Sequence, residues 1–449
     1  MRCPPRSLAL LALLCALPAV AGAEPTPPPP LSGEAAVVQA LLARAPAVHA
    51  ARAQVGAAKA AAVGAGTRPD PMVMLGVMNL PTDSLQLADE EMAGWTIGVE
   101  RMINPPSMRA AAQELAAARV ERTAAEVAVV ERALSLELRR TYWRWVAAAL
   151  EAADLRAELA PIDALRATVD ARAGQDMEMA AAAAMLRLER GELEDMALDM
   201  EAEAAGLRAQ LEARAGGSLQ LALPAALPRP TQLPPLPAAC ATSAAAPSDA
   251  ALQQLDPMLS ALGAMGDEER AMGAEARAAG RRAPTVQAEL LRRSMDHEGM
   301  ARHLLTVGVA VPLGRQAADR ARADEAAARS RGQAADLAAA AAAEEACAMA
   351  RMAHLSASAA LTRAHNQRHP RVGDARALEQ LAFAAYQAGT GELRALLEAA
   401  ALRRGYQRAE RRAALAVIEA SLPLWPVGEL ERADREGAAY VPAGAAPRP

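Results

Sequence analysis

The stretch Trp95-Thr96-Ile97-Gly98-Val99-Glu100 returns later in the chain as Leu305-Thr306-Val307-Gly308-Val309-Ala310. Both copies alternate with a period of two, the period of a strand rather than of a helix. Trp95, Ile97 and Val99 share one side, and Thr96, Gly98 and Glu100 the other. In the second copy Leu305, Val307, Val309 and Val311 oppose Thr306, Gly308 and Ala310. A further strand-like run precedes each copy. The first covers residues 72–79, after the stop signal Arg68-Pro69-Asp70-Pro71. The second covers residues 284–291, where Val286, Ala288 and Leu290 oppose Thr285, Gln287 and Glu289. The pattern predicts two hairpins, about 72–103 and about 284–312, each apolar on one face and polar or small on the other. Such short alternating runs suit a lipid-facing barrel wall around an aqueous lumen. A soluble sheet packed on helices is the alternative.

Working outward, the hairpins are embedded in helical sequence. Val37, Val38, Leu41, Leu42 and Ala45 mark one side of a helix over about 31–66. Val127, Val130, Leu134, Leu138 and Trp145 recur at helical spacings within about 107–172. Leu186, Leu193, Met200 and Leu207 form a seven-residue seam within about 175–215. The second half carries predicted helices over about 249–282, 315–387 and 390–422. The halves match beyond the strands. Arg44-Ala45-Pro46 corresponds to Leu255-Asp256-Pro257, and Arg172-Ala173-Gly174 to Gln387-Ala388-Gly389. A nearly common offset across such pairs, roughly 210–215 residues, is the signature of an internal repeat. Two short helices laid end to end equal the long one, which at 1.5 Å per residue is about 100 Å. The predicted molecule is a rod of packed helices.

Composition agrees with a rod. The chain has 449 residues, 53% of them hydrophobic but only 2% aromatic, with a single phenylalanine. Such sequence suits long packed helices. Net charge is −5 with bases scattered among acids, so no nucleic-acid partner is expected. Arg2 and Arg6, the apolar run 8–20 and Ala21-Gly22-Ala23 read as a signal peptide over 1–23. Cys15 follows Leu14, a bulky residue where a lipoprotein site needs a small one, so no lipidation is expected. Of the remaining cysteines, Cys240 and Cys347, two unbridged thiols are expected; a bridge in an oxidising compartment is the alternative. Residues 24–223 and 249–422 form the two repeats, joined by a Pro-rich linker over 224–248 and followed by a flexible tail over 423–449.

Four strands cannot close a membrane barrel, which needs about eight or more, and open edges are not tolerated in lipid. A barrel therefore requires oligomers, with eight or twelve strands for a dimer or a trimer. The chain resembles the TolC family of outer-membrane efflux channels over nearly all of its mature length. The resemblance rests on Arg68-Pro69-Asp70-Pro71-Met72 through Asn79-Leu80-Pro81, on Thr96-Ile97-Gly98-Val99, and on residues 306–312. It rests above all on Tyr386-Gln387-Ala388-Gly389 followed by Leu393, Leu396 and Leu397. It implies a mainly α fold with a small membrane β part, and a homotrimer with a 12-stranded barrel and a periplasmic α-helical tunnel. It further implies a periplasmic adaptor (a membrane fusion protein) and an inner-membrane pump of RND type. The opening Asp70-Pro71-Met72 to Asn79-Leu80-Pro81 looks most like the heavy-metal branch, typified by CusC and CzcC. A drug-efflux or type I secretion duct is the alternative within the family. A periplasmic coiled-coil scaffold without a pore is the alternative outside it.

Candidate functional residues follow. Ala173, Gly174, Ala388 and Gly389 interrupt long helices, and the resemblance makes these tips the adaptor-docking points. Glu398, Asp176 and Glu178 lie near the tips, where each would repeat as a ring in an oligomer and favour cations. Met72, Met74 and Met78 share strand parity, and their thioethers suit soft metal ions such as Cu(I); flexible apolar filling is the plain alternative. Met295, Asp296, His297, Glu298, Met300 and His303 form a ligand-type cluster without a standard metal spacing. His365 and His369 precede Pro370, which favours a helix-end role for them. No nucleophile elbow, phosphate loop, HExxH or CxxC occurs, so neither an enzyme nor a resident cofactor is expected.

Overall fold

Strong helix formers dominate α3 (Pro106–Asp170), which carries one internal proline, Pro161, and whose 65 residues make the longest element among the described residues. The computed structural model describes residues 31–87, 90, 92–171, 177–241, 248, 250–281, 283–293, 302–312 and 316–439. The leader over 1–23 lies outside them. The other helices are α1 (Glu34–Arg44), α2 (Pro46–Gly64), α4 (Met177–Ala215), α5 (Ala238–Ala241), α6 (Ala250–Leu255) and α7 (Met258–Ala279). The second half continues with α8 (Gln316–Asn366), a π-helical turn (Gln367–Val372), α9 (Gly373–Gln387), α10 (Leu393–Ser421) and α11 (Glu429–Ala439). The strands are β1 (Met72–Met78), β2 (Gly94–Met102), β3 (Thr285–Arg293) and β4 (His303–Ala310). The architecture is mainly helical with one small antiparallel sheet.

The bundle packs α3 against α2, α4 and α7, and α8 against α7 and α10. Small residues make the α7–α8 contact close. A Cβ on Gly273 would sit 3.5 Å from the Ala328 Cβ, and one on Gly280 only 2.9 Å from the Ala321 Cβ. Ala328, Ala335, Ala339, Ala343 and Ala350 line the buried stripe of α8. An alanine seam packs densely because the helix axes approach, so few bulky side chains are needed. Bulk gathers in two places instead. One core joins Val38, Leu41, Leu138, Trp143, Leu211 and Ile418. The other joins Leu155, Leu159, Leu186, Leu193, Leu393 and Leu396, farther along α3.

Four sequence expectations are corrected. The helix expected over 31–66 is two, because Pro46 has no amide hydrogen and starts α2 at its first turn. The helix expected over 249–282 likewise breaks at Asp256-Pro257, where Asp256 Oδ1 accepts from the Met258 amide at 3.0 Å. The helix expected over 315–387 widens into the π-helical turn containing Pro370, whose missing amide hydrogen cannot close the regular ladder. The tail expected to be flexible from 423 forms α11, and Leu430 is fully buried in the first core.

The tail is held by a buried polar knot. Arg139 of α3 and Glu34 of α1 are fully buried and hydrogen-bonded to each other. Arg139 also donates to the carbonyls of Leu422 (3.1 Å), Trp425 (2.7 Å) and Pro426 (3.4 Å). Glu34 accepts from Trp143 Nε1 at 3.2 Å and from the Gly428 amide at 3.3 Å. Glu431 of α11 accepts the Glu34 amide at 2.7 Å. Burial, then the nearby Glu431 and Glu34, pushes the Tyr142 phenol well above its ordinary range.

The expectation of unbridged thiols is also overturned. Cys240 and Cys347 form a disulfide that fastens the Pro-rich linker to α8. Leu252, Leu259 and Ala343 pack around it. The residues lie 107 apart in sequence, so only the tertiary fold brings them together.

Candidate functional site

The sheet runs β1-β2-β3-β4 with every neighbouring pair antiparallel. Its register assembles one apolar face. Leu75 stands beside Ile97, Leu290 and Leu305, and Val73 beside Val99, Ala288 and Val307. This face is open: Leu75 is 77%, Leu305 70% and Val307 67% exposed. A contiguous apolar face of this kind marks contact with lipid or with another protein. Polar groups bound it at both ends. At the loop end Val77 stands beside Trp95, Arg292 and His303. At the helical end Arg101 stands beside Val286 and donates to the Pro69 carbonyl at 3.2 Å. Trp and Arg at the limits of an apolar band are what a membrane–water boundary favours.

The opposite face is polar, small or sulfur-bearing. Met72 stands beside Glu100 and Gln287, and Met74 beside Gly98, Glu289 and Thr306. Met78 stands beside Gly94. The register therefore puts all three methionines on one face with Glu100 and Glu289, away from the valines. Gly94 is required there by close approach, since a Cβ would sit 2.3 Å from the Arg292 carbonyl oxygen. β1 and β4 are the two edges of the sheet, and each pairs on one side only. β2 and β3 have nine residues each, close to the roughly 9–11 that a tilted membrane strand requires. Among the described residues no helix is long and apolar enough to cross a membrane.

At the far end of the bundle, α9 and α10 meet in a tight turn. Gly389 has φ of 70°, a left-handed conformation that glycine adopts without a Cβ penalty. Its amide donates to the Tyr386 carbonyl at 3.1 Å, and the Thr390 amide to Ala385 at 3.0 Å. This pair of bonds is a Schellman cap, which satisfies the last carbonyls of α9. Space around Gly389 is open, whereas a Cβ on Gly391 would sit 2.9 Å from the Ala385 Cβ. Glu398 follows on α10, exposed and paired with Arg394 at 2.9 Å. Ala173, Gly174 and Asp176 of the other tip lie outside the described residues, and Glu178 stands in the first turn of α4. In the second hairpin loop Met295, Asp296, His297, Glu298 and Met300 also lie outside them, while His303 begins β4. No group of three or more His, Cys, Asp or Glu suited to a metal occurs among the described residues.

Sequence reading missed the salt-bridge ladder that docks α10 on α3 and α4. Arg403 pairs with Glu158 at 2.7 Å and Glu379 at 2.6 Å; Arg404 pairs with Glu189 and Arg408 with Glu151. Burial opposes the Arg403 charge, but Glu158 and Glu379 outweigh it and raise the guanidinium pKa. The run Arg403-Arg404, with Arg408 and Arg411 following at helical spacing, was the available signal.

No family model matches the chain, and no curated protein does. Solved structures do. A membrane protein from Pseudomonas aeruginosa aligns over 89% of this chain and 91% of its own, with TM-score 0.63 and 16% identity. The fold is that of outer-membrane channels. The outer membrane protein VceC from Vibrio cholerae aligns over 86% of this chain and 94% of its own, with TM-score 0.62 and 16% identity. The MtrE outer membrane channel of Neisseria gonorrhoeae, in its open state, aligns over 89% and 88%, with TM-score 0.62 and 14% identity.

Proposed function

We propose that this chain is the outer-membrane duct of a tripartite efflux system of the TolC family, a passive exit through which an inner-membrane pump discharges its cargo. The observation that carries this reading is the open sheet: one continuous apolar face, two edges and a polar face, mounted on a helical rod. Residues 24–223 and 249–422 act as tandem repeats joined by the linker over 224–248, and the segment 1–23 directs export. Three copies join β4 of one to β1 of the next, giving twelve strands and no edges. The Cys240–Cys347 disulfide fits an oxidising periplasm.

The helices form the periplasmic tunnel, and the tips at Ala173-Gly174 and Ala388-Gly389 receive the adaptor. Rings of Asp176, Glu178 and Glu398 select cations at the constriction; Arg394 moderates the last of these. The cargo is heavy-metal ions supplied by an RND-type pump, and Met72, Met74 and Met78 offer the lumen a soft face. Membrane fractionation followed by planar-bilayer conductance tests the duct. Heat-labile oligomers in the outer membrane with discrete, cation-selective conductance are expected. A water-soluble protein without conductance would instead make the sheet a packing surface and the chain a scaffold.

A further inference from the structure

The strands of the sheet are long enough for a membrane, but their apolar part is shorter. Each strand presents only three apolar side chains in succession on the open face: Val73, Leu75 and Val77 on β1, and Trp95, Ile97 and Val99 on β2. β3 gives Val286, Ala288 and Leu290, and β4 gives Leu305, Val307 and Val309. A membrane strand of roughly 9–11 residues presents about five. On the two inner strands the fourth residue in line is an arginine, at opposite ends. Arg101 closes β2 at the helical end, and Arg292 closes β3 at the loop end, where it stands beside Trp95. The rows of Arg101 and Arg292 are six residues apart, which is about 20 Å along a strand. The tilt of a barrel strand, about 40°, reduces that to about 15 Å of height. One further row at the helical end has apolar members, Ile103 and Val311, both exposed. There the sheet stops: the Ile103 amide donates to the Pro284 carbonyl at 2.8 Å, and Pro312 follows Val311. Counting that row raises the height to about 20 Å, against about 25 Å for the apolar band of outer-membrane barrels.

A face of this height cannot stand in a lipid layer of ordinary depth without drawing hydrocarbon over charge. The cost of an arginine on a lipid face rises with its depth, so the two arginine rows fix the limits of the band. Arginine relieves part of the mismatch by running its stem along apolar surface toward water. Arg101 Nε donates to the Pro69 carbonyl at 3.2 Å, which ties its guanidinium to the helical end. We propose that this face is matched to a thin lipid layer: the chain takes short acyl chains in preference to long ones and thins an ordinary bilayer around itself. An apolar span shorter than the hydrocarbon is accommodated in that way, at a cost that grows with each ångström and sorts proteins among membranes of different thickness. The proposal rests on the reading of the sheet as a lipid-facing barrel wall, and it adds to that reading the depth of the lipid it fits.

The test uses the full chain, purified in detergent and reconstituted into phosphatidylcholine vesicles. Of the four tryptophans only Trp95 lies in the sheet. Trp143 and Trp145 sit in the first core, about 55 Å along α3 from its start, and Trp425 packs against the same core. Lipid brominated in its acyl chains therefore quenches Trp95 alone. Mixtures of brominated and plain lipid, with myristoleoyl, oleoyl or erucoyl chains, give the relative affinity of the Trp95 surface for each length. Myristoleoyl chains are expected to bind at least about threefold more tightly than erucoyl chains, with oleoyl between them. Arg101→Leu with Arg292→Leu lengthens the band at both ends and should move the preference to oleoyl. Arg292→Leu alone, at the end remote from the bundle, should move it partway, and it decides the matter if the double variant does not assemble. Equal affinity for the three lengths, or a preference for the longer chains, overturns the proposal and leaves the duct standing. A short-chain preference that neither variant moves also overturns it, because the arginines would then not be the limits. Absence of any Trp95 quenching means that the face is not in lipid, and it sinks the barrel wall together with its depth.

Discussion

Arg139 and Glu34 illustrate what one buried charge demands. Each is taken wholly out of water, so each depends on the other, Arg139 also on the carbonyls of Leu422, Trp425 and Pro426, and Glu34 also on Trp143 Nε1 and the Gly428 amide. Breaking such a pair costs about 3–5 kcal/mol, because the remaining charge stays buried and unpaired. Arg139→Ala should therefore lower the urea midpoint strongly. The double variant Arg139→Met with Glu34→Gln should recover much of the loss, and equal damage in both would refute this account. Glycines at the tip divide in the same way. Gly389→Ala meets no neighbour but must hold φ at 70°, costing about 1 kcal/mol. Gly389→Trp should abolish efflux yet leave the oligomer assembled on a native gel; normal efflux would sink adaptor docking at that tip.

Strands and helices set the next scale. Because side chains alternate, neighbouring positions of β4 should answer oppositely to charge. Val307→Arg puts a guanidinium on the apolar face and should cost about 2–4 kcal/mol if that face meets lipid. Thr306→Arg faces the other way and should be tolerated. The level of heat-modifiable oligomer in membranes reads both, and equal tolerance would argue against lipid contact. The disulfide acts at this scale too, closing a loop of 107 residues. Loop entropy alone makes it worth about 4–5 kcal/mol. Cys347→Ser, or reduction, should lower the urea midpoint accordingly.

The whole molecule is a ladder of arginine–carboxylate pairs on an alanine frame, and its response to acid follows. Hydrogen bonds from Arg156, Arg208 and Arg277 hold Glu201, Glu212 and Glu325 below the usual carboxylate range. Their folded pKa values are depressed, so their stabilisation is complete above the unfolded value, about 4.3. It is lost as pH falls through the folded values. Glu201 is exposed and Glu212 and Glu325 are only half-buried, so the effect is small and screened by salt. Thermal melting should be flat from pH 7 to about 5, then fall, and high salt should flatten the drop. A decline beginning above pH 6 would implicate other groups.

The sequence by itself determined the helices α3, α4 and α10, the four strands and the alternation that separates Met72 and Met74 from Val73 and Leu75. Those properties are local: period, proline and glycine write them over a few residues. It also announced the turn at Gly389, because only glycine takes that backbone angle cheaply. Only the tertiary structure decided what joins distant segments. The pairing of Cys240 with Cys347, the burial of Arg139 on Glu34 and the docking of residues 422–431 join positions from 105 to nearly 400 apart. Such contacts depend on which faces meet when long helices pack, and an alanine-rich rod presents several nearly equivalent faces. A few buried charges and one covalent bond break that degeneracy, and their partners exist only once the chain has folded.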